Sequence, residues 1–272
     1  MRSVREPAVA GMFYPDSPAK LKKDIQLLLE NNKPSEKYDN VFGLVSPHAG
    51  YIYSGMTAAF AYNTLKDKKI KTAVIISPSH REYFPGISVF EGDAYKTPLG
   101  IVPVNKEMRS ALTADENFIF NGINGHKNEH AVEVQIPFLQ VVLDDFFIVP
   151  VVIGDQRKIF VEGLAEKLSQ VVDEETVIVA SSDLSHFHPK EKAAALDAIV
   201  ERRIKDFDYE NLQSDLENNR CEACGGGGIV ALLKTADMMH KKNVKILSHT
   251  DSGDVTGDGS EVVGYLSAVV YG

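Results

Sequence analysis

Cysteine and long apolar segments are scarce in this sequence, and each scarcity excludes a class of protein. Only two cysteines occur in 272 residues, Cys221 and Cys224, and both lie in one short segment. They cannot form a framework of disulfides across a fold, so any role they have is local. No apolar run approaches the roughly 20 residues that span a bilayer, and the opening MRSVREPAVAG has no signal-peptide apolar region. We therefore expect a cytoplasmic protein without a membrane partner.

The sequence also lacks an extended basic patch. Its 29 basic and 38 acidic residues give a formal net charge of -9, spread along the chain, which mainly favours solubility. The basic cluster from Lys66 to Lys71 is short and is interrupted by Asp67 and Ile70, as in a solvated helix end. We expect no nucleic-acid partner, which leaves an unidentified small molecule or a peptide. The sequence indicates no oligomeric state.

The pattern of apolar residues predicts the secondary structure. Continuous valine- and isoleucine-rich segments predict buried strands, at Phe42–Ser46, Thr72–Ser77, Phe146–Ile153, Thr176–Ser181, Val244–Leu247 and Val262–Val270. Apolar residues at helical spacing predict helices between them, at Pro18–Glu30, Ser54–Leu65, Val132–Leu143, Lys158–Val172, Lys190–Asp206 and Ile229–Lys241. The alternation predicts an α/β fold whose central sheet is mixed, mostly parallel, and flanked by helices on both sides.

Nothing in the composition divides this chain into parts. No linker rich in proline, glycine or serine occurs, and no repeat is present, so residues 1–272 are interpreted as a single domain. The stretch from Gly86 to Val104 breaks the alternation, and its short segments ISVF and GIVPV predict a hairpin-like insertion. The acidic and glycine-rich residues 253–259 resemble a calcium loop, but Glu261 follows too soon for an EF-hand. A mobile turn before the last strand is the preferred interpretation.

Two of the predicted strands end in closely similar sequences, VSPHAGY and ISPSHREY, which place His48 and His80 just past a Ser-Pro break. In open α/β sheets, ligands bind outside the carboxyl ends of the strands, so these histidines are expected to meet there. The alternative is a pair of loop histidines that are solvated by water.

A third strand leads into SSDLSHFHP, which contains Asp183, His186 and His188. A carboxylate three residues before an imidazole can orient it or act beside it as an acid/base pair. We assign functional roles to Asp183 and His186 and interpret His188 as an exposed loop residue, although Asp183 could simply cap the turn.

Cys224 precedes the glycine run GGGG and a predicted helix. A thiol at a helix N-terminus has its pKa lowered by the helix dipole, and the thiolate is the form that binds metals. Half a zinc site and a redox C-x-x-C pair with Cys221 are less favoured than a single functional cysteine, whose main rival is a buried inert thiol.

Glu129 and His130 open the amphipathic stretch EHAVEVQIPFL. His130 is either a proton shuttle that reaches the crevice or a helix-start contact, while Val132 packs inward and Glu133 stays polar. The remaining histidines are treated as surface or structural residues: His126, His240 and His249.

Several motifs, in this order, resemble the Memo family, whose bacterial and archaeal members are also labelled AmmeMemoRadiSam system protein B. They run nearly end to end: REPAVAGMFYP, SPHAGYIYSG, ISPSH, YKTPLG, EHAVEVQIPFLQ, SSDLSHF, CGGGG and SGDVTGDGSEVVGYLSAVVYG. The resemblance implies a fold like that of class III extradiol dioxygenases, which are non-haem iron enzymes with two histidines and a glutamate on Fe(II).

In the Memo family a cysteine replaces that glutamate, so the resemblance implies His48, His80 and Cys224 as metal ligands. It places Asp183, His186 and His130 beside the metal as catalytic residues, and it gives Cys221 no counterpart. Thiolate ligation favours iron, copper or zinc over magnesium or calcium. Fe(II) is the expected metal, with copper or zinc as alternatives.

Three functions are consistent with these residues. The first is a metal-dependent redox enzyme that uses iron or copper, with His186 as acid/base and Asp183 orienting it or touching the metal. The second is a non-catalytic peptide- or protein-binding factor that uses the same crevice. The third is a zinc hydrolase that activates water.

Overall fold

The chain alternates between helices and strands, and the computed structural model describes residues 3–114 and 118–272. The helices are Pro18–Asn31 (α1), Tyr51–Asn63 (α2), Lys106–Leu112 (α3), Ile136–Val142 (α4), Lys158–Val171 (α5), Lys190–Lys205 (α6), Tyr209–Glu217 (α7), Gly226–Met238 (α8) and Gly253–Thr256 (α9). The strands are Val4–Arg5 (β1), Val41–Ser46 (β2), Thr72–Pro78 (β3), Ile87–Phe90 (β4), Ala94–Thr97 (β5), Gly100–Pro103 (β6), Ile119–Gly122 (β7), Phe147–Ile153 (β8), Thr176–Ser181 (β9), His186–His188 (β10), Asn243–Asp251 (β11) and Val262–Tyr271 (β12).

The main sheet has the strand order β10-β12-β2-β9-β3-β8-β4-β7, with β11 paired to β12. Its centre is parallel, because β2 pairs with β9, β9 with β3, and β3 with β8 in the same direction. Antiparallel pairs flank this centre, where β12 meets β2 and β4 meets β8. The predicted α/β fold with a mixed sheet is therefore confirmed.

Helices cover both faces of the main sheet. Consecutive residues of a strand point to opposite faces, and the buried Ile75 and Ile76 accordingly belong to two separate apolar clusters. Helices α1, α2 and α4 pack together on one face, and α5 and α8 pack on the other. Within the described residues, no helix has both the length and the apolar character needed to cross a membrane.

The predicted hairpin between ISVF and GIVPV is wrong in its partners. The first segment forms β4, which is fully buried in the main sheet between β8 and β7. The second forms β6, which pairs with β5 across a two-residue turn that ends at Gly100, whose φ is 129°. Together with β1, this hairpin makes a separate three-stranded sheet. Three of the four residues of ISVF are apolar, which suits a covered sheet better than an exposed insertion.

The acidic segment before the last strand contains the one-turn helix α9. This helix ends at Gly257, whose φ of 75° lies in the left-handed region and favours glycine. Lys190 binds the carboxylates of both Asp251 and Asp254. A salt-bridged helical turn thus occupies the segment that the sequence predicted to be mobile.

Glu133, which was expected to stay polar on a helix surface, is completely buried. Its carboxylate forms an ion pair with Arg5 and accepts hydrogen bonds from the hydroxyl of Tyr14, at 2.5 Å, and from the backbone amides of Ala8 and Val9. The expectation was wrong because these partners lie more than 100 residues away in the sequence. This carboxylate fastens the N-terminal segment to the body of the fold.

We predict that Glu133→Gln lowers the free energy of unfolding by about 3–5 kcal/mol, because it leaves the Arg5 guanidinium buried without its counter-ion. Urea denaturation measures this loss. The matched control is Glu175→Gln, which breaks the exposed pair with Lys71 and should cost less than about 1 kcal/mol. Equal losses in the two variants would contradict the assignment.

His126 is also buried. This agrees with the second of the two roles expected for it, a surface or a structural residue. Its Nε2 donates to the carbonyl of Ser88, at 3.1 Å, and its Nδ1 lies 2.9 Å from the hydroxyl of Tyr95. Burial lowers the pKa of His126 to about 3. The unfolded chain therefore binds a proton that the folded chain excludes, at pH values between this pKa and the ordinary histidine value.

We predict that stability falls as the pH drops from about 6.5 to about 3, and that His126→Gln removes part of this fall. One such group contributes at most about 1.4 kcal/mol per pH unit. Urea midpoints of the wild type and the variant across this range measure the difference. Parallel pH profiles would show that His126 does not contribute.

Candidate metal centre

The carboxyl ends of the parallel strands carry the predicted site. His48 follows β2, His80 follows β3 and Asp183 follows β9, and in parallel register Ser46 lies opposite Ser181. The shared strand direction therefore delivers all three side chains to one edge of the sheet.

Cys224 reaches the same edge from the start of α8. This approach requires glycine at the next position, since a Cβ on Gly225 would overlap the carbonyl oxygen of Ser181. The backbone amide of Cys224 donates to the carbonyl of Asp183, at 3.2 Å. The glycine run thus lets the N-terminus of α8 lie directly against the carboxyl end of β9.

The three predicted ligands converge. Donor atoms of His48, His80 and Cys224 all lie within 4.8 Å of one another. Nε2 of His48 and Sγ of Cys224 are 3.1 Å apart. The rings of His48 and His80 are nearly perpendicular, with centroids 5.1 Å apart.

Hydrogen bonds fix the tautomer of His48. The Ser181 hydroxyl donates to the carbonyl of Ala131, at 2.7 Å, so its oxygen is free to accept from Nδ1 of His48, at 3.0 Å. Burial, reinforced by the neighbouring His80, lowers the pKa of His48 to about 3. The neutral ring therefore carries its proton on Nδ1 and directs the lone pair of Nε2 at Cys224.

Asp183 contacts two of the predicted ligands, His48 and Cys224. Its carboxylate accepts from the backbone amide of His48, at 2.7 Å, and its own amide lies 3.3 Å from Sγ of Cys224. Burial raises the pKa of the Asp183 carboxyl above its usual value, in opposition to the hydrogen bond from His48. In the described parts of the chain, no hydrogen bond joins Asp183 to His186.

His130 lies among the predicted ligands. Its ring stacks on His80, with centroids 4.7 Å apart, meets His48 edge-on at 5.3 Å, and packs against Phe13 at 4.8 Å. Burial, together with His48, lowers the pKa of His130 to about 4. A neutral imidazole at neutral pH therefore lies beside the cluster.

His186 lies at the wall of an adjoining crevice of about 540 Å³, and it shares this crevice with Cys224. The polar residues Arg157, Gln213 and Glu222 also line the crevice. The neighbouring His188, interpreted as an exposed loop residue, is only partly exposed, and its Nε2 lies 3.0 Å from a carboxylate oxygen of Glu222.

Glu129 is the site residue that the sequence reasoning missed. Its buried carboxylate accepts from the backbone amide of His80 at 2.7 Å, from Nδ1 of His80 at 2.9 Å, and from the amide of Ala131 at 2.9 Å. Burial alone would raise the pKa of Glu129, but the interactions with His80 lower it to about 2. The only sequence signal was its position next to His130.

The prediction of a lowered thiol pKa is wrong for the free protein. Burial, followed by the charge of Asp183, raises the pKa of Cys224 well above its ordinary value. Hydrogen bonds from the backbone amides of Asp183 and Gly225 and from the side chain of Ser182 act in the opposite direction, but they do not compensate. Desolvation therefore outweighs the helix dipole.

We predict that Cys224 reacts slowly with an alkylating reagent at neutral pH in the presence of a chelator, because little thiolate is present. A Cys221→Ala background leaves Cys224 as the only cysteine. Asp183→Asn in this background should accelerate alkylation, since the amide removes the charge that disfavours the thiolate. Rates followed by mass spectrometry test this, and an unchanged or slower rate in the variant would contradict it.

The fold and site together define an α/β protein with a His/His/Cys cluster at the carboxyl edge of a parallel sheet. A family model described as Memo-like protein matches residues 5–269. MEMO1 family proteins are 38% identical over 267 residues in Thermoplasma volcanium, with 98% of each chain covered, and 38% over 279 residues in Thermotoga maritima, with 98% of this chain and 99% of the relative covered. The chain belongs to the Memo family.

A further relative agrees with this placement, and a solved structure shares the fold. The MEMO1 family protein of Methanocaldococcus jannaschii is 36% identical over 287 residues, with 99% of this chain and all of the relative covered. An uncharacterized protein from Escherichia coli K12 has a crystal structure that matches with a TM-score of 0.55, at 15% identity, over 85% of this chain and 99% of that one. At this identity the structural match supports the fold alone.

Proposed function

We propose that His48, His80 and Cys224 bind a transition metal, with Fe(II) as the preferred ion, and that the protein is a metal-dependent oxidoreductase. The observation that carries this proposal is the pair formed by the unprotonated Nε2 of His48 and the sulfur of Cys224, 3.1 Å apart, with His80 within 4.8 Å. In the free protein the protonated thiol of Cys224 can donate to Nε2 of His48, and a bound cation would take the place of this proton.

The donor set fits this class of ion. Two neutral imidazoles and one thiolate suit iron, copper and zinc and do not suit magnesium or calcium, which prefer oxygen ligands. The high pKa of the thiol means that metal binding must release a proton. Metal affinity is therefore expected to rise with pH.

The surrounding residues are proposed to handle protons. A bound iron or copper ion would supply one-electron redox chemistry. His130, neutral and stacked on His80, is placed to accept a proton, and the carboxyl of Asp183, with its raised pKa, is placed to hold one. His186 is the proposed acid/base group on the crevice side, where it shares the wall with Cys224.

The resemblance to class III extradiol dioxygenases supports redox chemistry, but the cysteine argues against ring opening. A thiolate beside activated oxygen is itself readily oxidised. We therefore propose an oxidoreductase whose substrate is a small molecule or a peptide that enters the crevice.

A non-catalytic binding factor is the second candidate. The crevice of about 540 Å³ is large enough for a small ligand or one peptide side chain, and Phe187 beside it is 69% exposed. Partner binding that persists in the double variant His48→Ala/His80→Ala, together with no turnover by the wild type, would favour this function.

We predict that wild-type protein binds Fe(II) under anaerobic conditions far more tightly than Cys224→Ala, because the variant lacks the thiolate ligand. Loss of this ligand should weaken binding by at least about 100-fold, on the scale of 1.4 kcal/mol per tenfold change. Anaerobic titration followed by absorbance and calorimetry measures it. Cys221→Ala is the matched control and should bind as the wild type does.

Equal, weak and unselective binding by the wild type and Cys224→Ala would contradict the metal site. Metal analysis of protein purified without oxygen separates the redox function from the zinc hydrolase. Iron or copper supports the proposal, and zinc alone supports hydrolysis.

A further inference from the structure

We propose that Glu129 is the positioning residue of this centre, which fixes the ring of His80 with its proton on Nδ1 and its Nε2 free to bind a metal. The inference rests on the proposed metal site for its purpose. Its physical content, the tautomer and orientation of His80, is independent of any bound ion.

The hydrogen bonds at the Glu129 carboxylate determine where the proton of the His80 ring lies. Three N–H groups, from the backbone and ring of His80 and the backbone of Ala131, point at its two carboxylate oxygens. A carboxylate accepts at both oxygens and donates at neither. The geometry is therefore satisfied only when Nδ1 of His80 carries the proton.

The alternative tautomer of His80 is disfavoured at this position. An unprotonated Nδ1 would direct its lone pair at a carboxylate oxygen 2.9 Å away, which is repulsive, and it would place the proton on Nε2. A histidine that donates its second N–H to a carboxylate is the usual arrangement of metal-binding histidines, because it fixes the ring and makes the free nitrogen more basic.

Glu129 is itself held in place by Arg5. Arg5 donates through Nη2 to the backbone carbonyl of Glu129, at 2.5 Å, and through Nε to the carbonyl of His126, at 3.1 Å. The same guanidinium is paired with the buried Glu133. The N-terminal segment thus anchors the loop that carries Glu129, and Glu129 in turn anchors His80.

Glu129→Gln tests the proposal because the amide has the same shape and only one acceptor. Its NH2 group must replace either the oxygen that accepts from the backbone amide of His80 or the oxygen shared by Nδ1 of His80 and the backbone amide of Ala131. Either orientation leaves one clash with a backbone donor. In the second orientation His80 also relieves the clash at its ring by moving its proton to Nε2, where the proton blocks metal binding. We therefore expect the variant to populate the opposite tautomer, which the wild type excludes.

The tautomer is read from the 15N chemical shifts of the His80 ring in metal-free protein with a chelator present, above neutral pH. Wild-type protein is expected to show a protonated Nδ1, and Glu129→Gln a protonated Nε2 or a mixture of the two. Glu133→Gln is the matched control, because it loosens the same segment without touching His80 and should keep the wild-type tautomer. Identical His80 shifts in the wild type and Glu129→Gln would overturn the proposal.

Glu129→Asp keeps the carboxylate. It is the alternative test of the proposal if Glu129→Gln does not fold. The shorter side chain should give a partial shift of the tautomer, and no shift despite the changed reach would again count against the proposal. Circular dichroism confirms folding in each case.

Iron titration then connects the tautomer to function. Glu129→Gln should bind Fe(II) about 10- to 100-fold more weakly than the wild type, while Glu133→Gln binds equally per folded molecule. Wild-type protein that shows the expected tautomer but binds no iron would refute the metal site and leave the positioning role standing. Unchanged affinity in Glu129→Gln would refute the positioning role alone.

Discussion

The site depends on one constraint of the main sheet, namely that β2, β9 and β3 are adjacent and parallel. Their carboxyl ends must lie at one edge, and every loop that follows them starts there. His48, His80 and Asp183 are consequently brought together by strand direction before any specific contact forms. The convergence of these side chains is therefore a property of the topology, refined by specific contacts.

Buried carboxylates then hold the histidines in position. Asp183 accepts the backbone amide of His48, and Glu129 accepts that of His80, so each histidine is held by a carboxylate that is distant in sequence. A third carboxylate, Glu133, binds the N-terminal segment behind them. Burying three such groups costs desolvation energy, which hydrogen bonds must offset. The partners of Glu129 and Glu133 meet this requirement, whereas burial still raises the pKa of Asp183.

The sequence was sufficient for the central strands and the main helices, because strands buried on both faces are continuously apolar and amphipathic helices repeat at helical spacing. Together with the family resemblance, it predicted that His48, His80 and Cys224 lie close together, and the structure brings their donor atoms within 4.8 Å of one another. It was insufficient for the short strand β5, whose pairing depends on a turn and an edge, and for Glu133, which looks like a surface residue until its distant partners are known.

The pKa of the Cys224 thiol is another property that the sequence did not predict correctly. Position alone predicted a helix dipole that lowers its pKa, whereas burial and the charge of Asp183 outweigh the hydrogen bonds that favour the thiolate. A cysteine that stays protonated in the free protein is protected from oxidation and becomes a ligand only when a cation displaces its proton. This behaviour suits a centre that is loaded with metal under reducing conditions.

The most direct test is a crystal structure of protein prepared and loaded with iron without oxygen, with anomalous diffraction measured at the iron, copper and zinc edges. We expect an iron peak bound by Nε2 of His48, Nε2 of His80 and Sγ of Cys224. A peak at another position, or no peak between these three atoms, would contradict it.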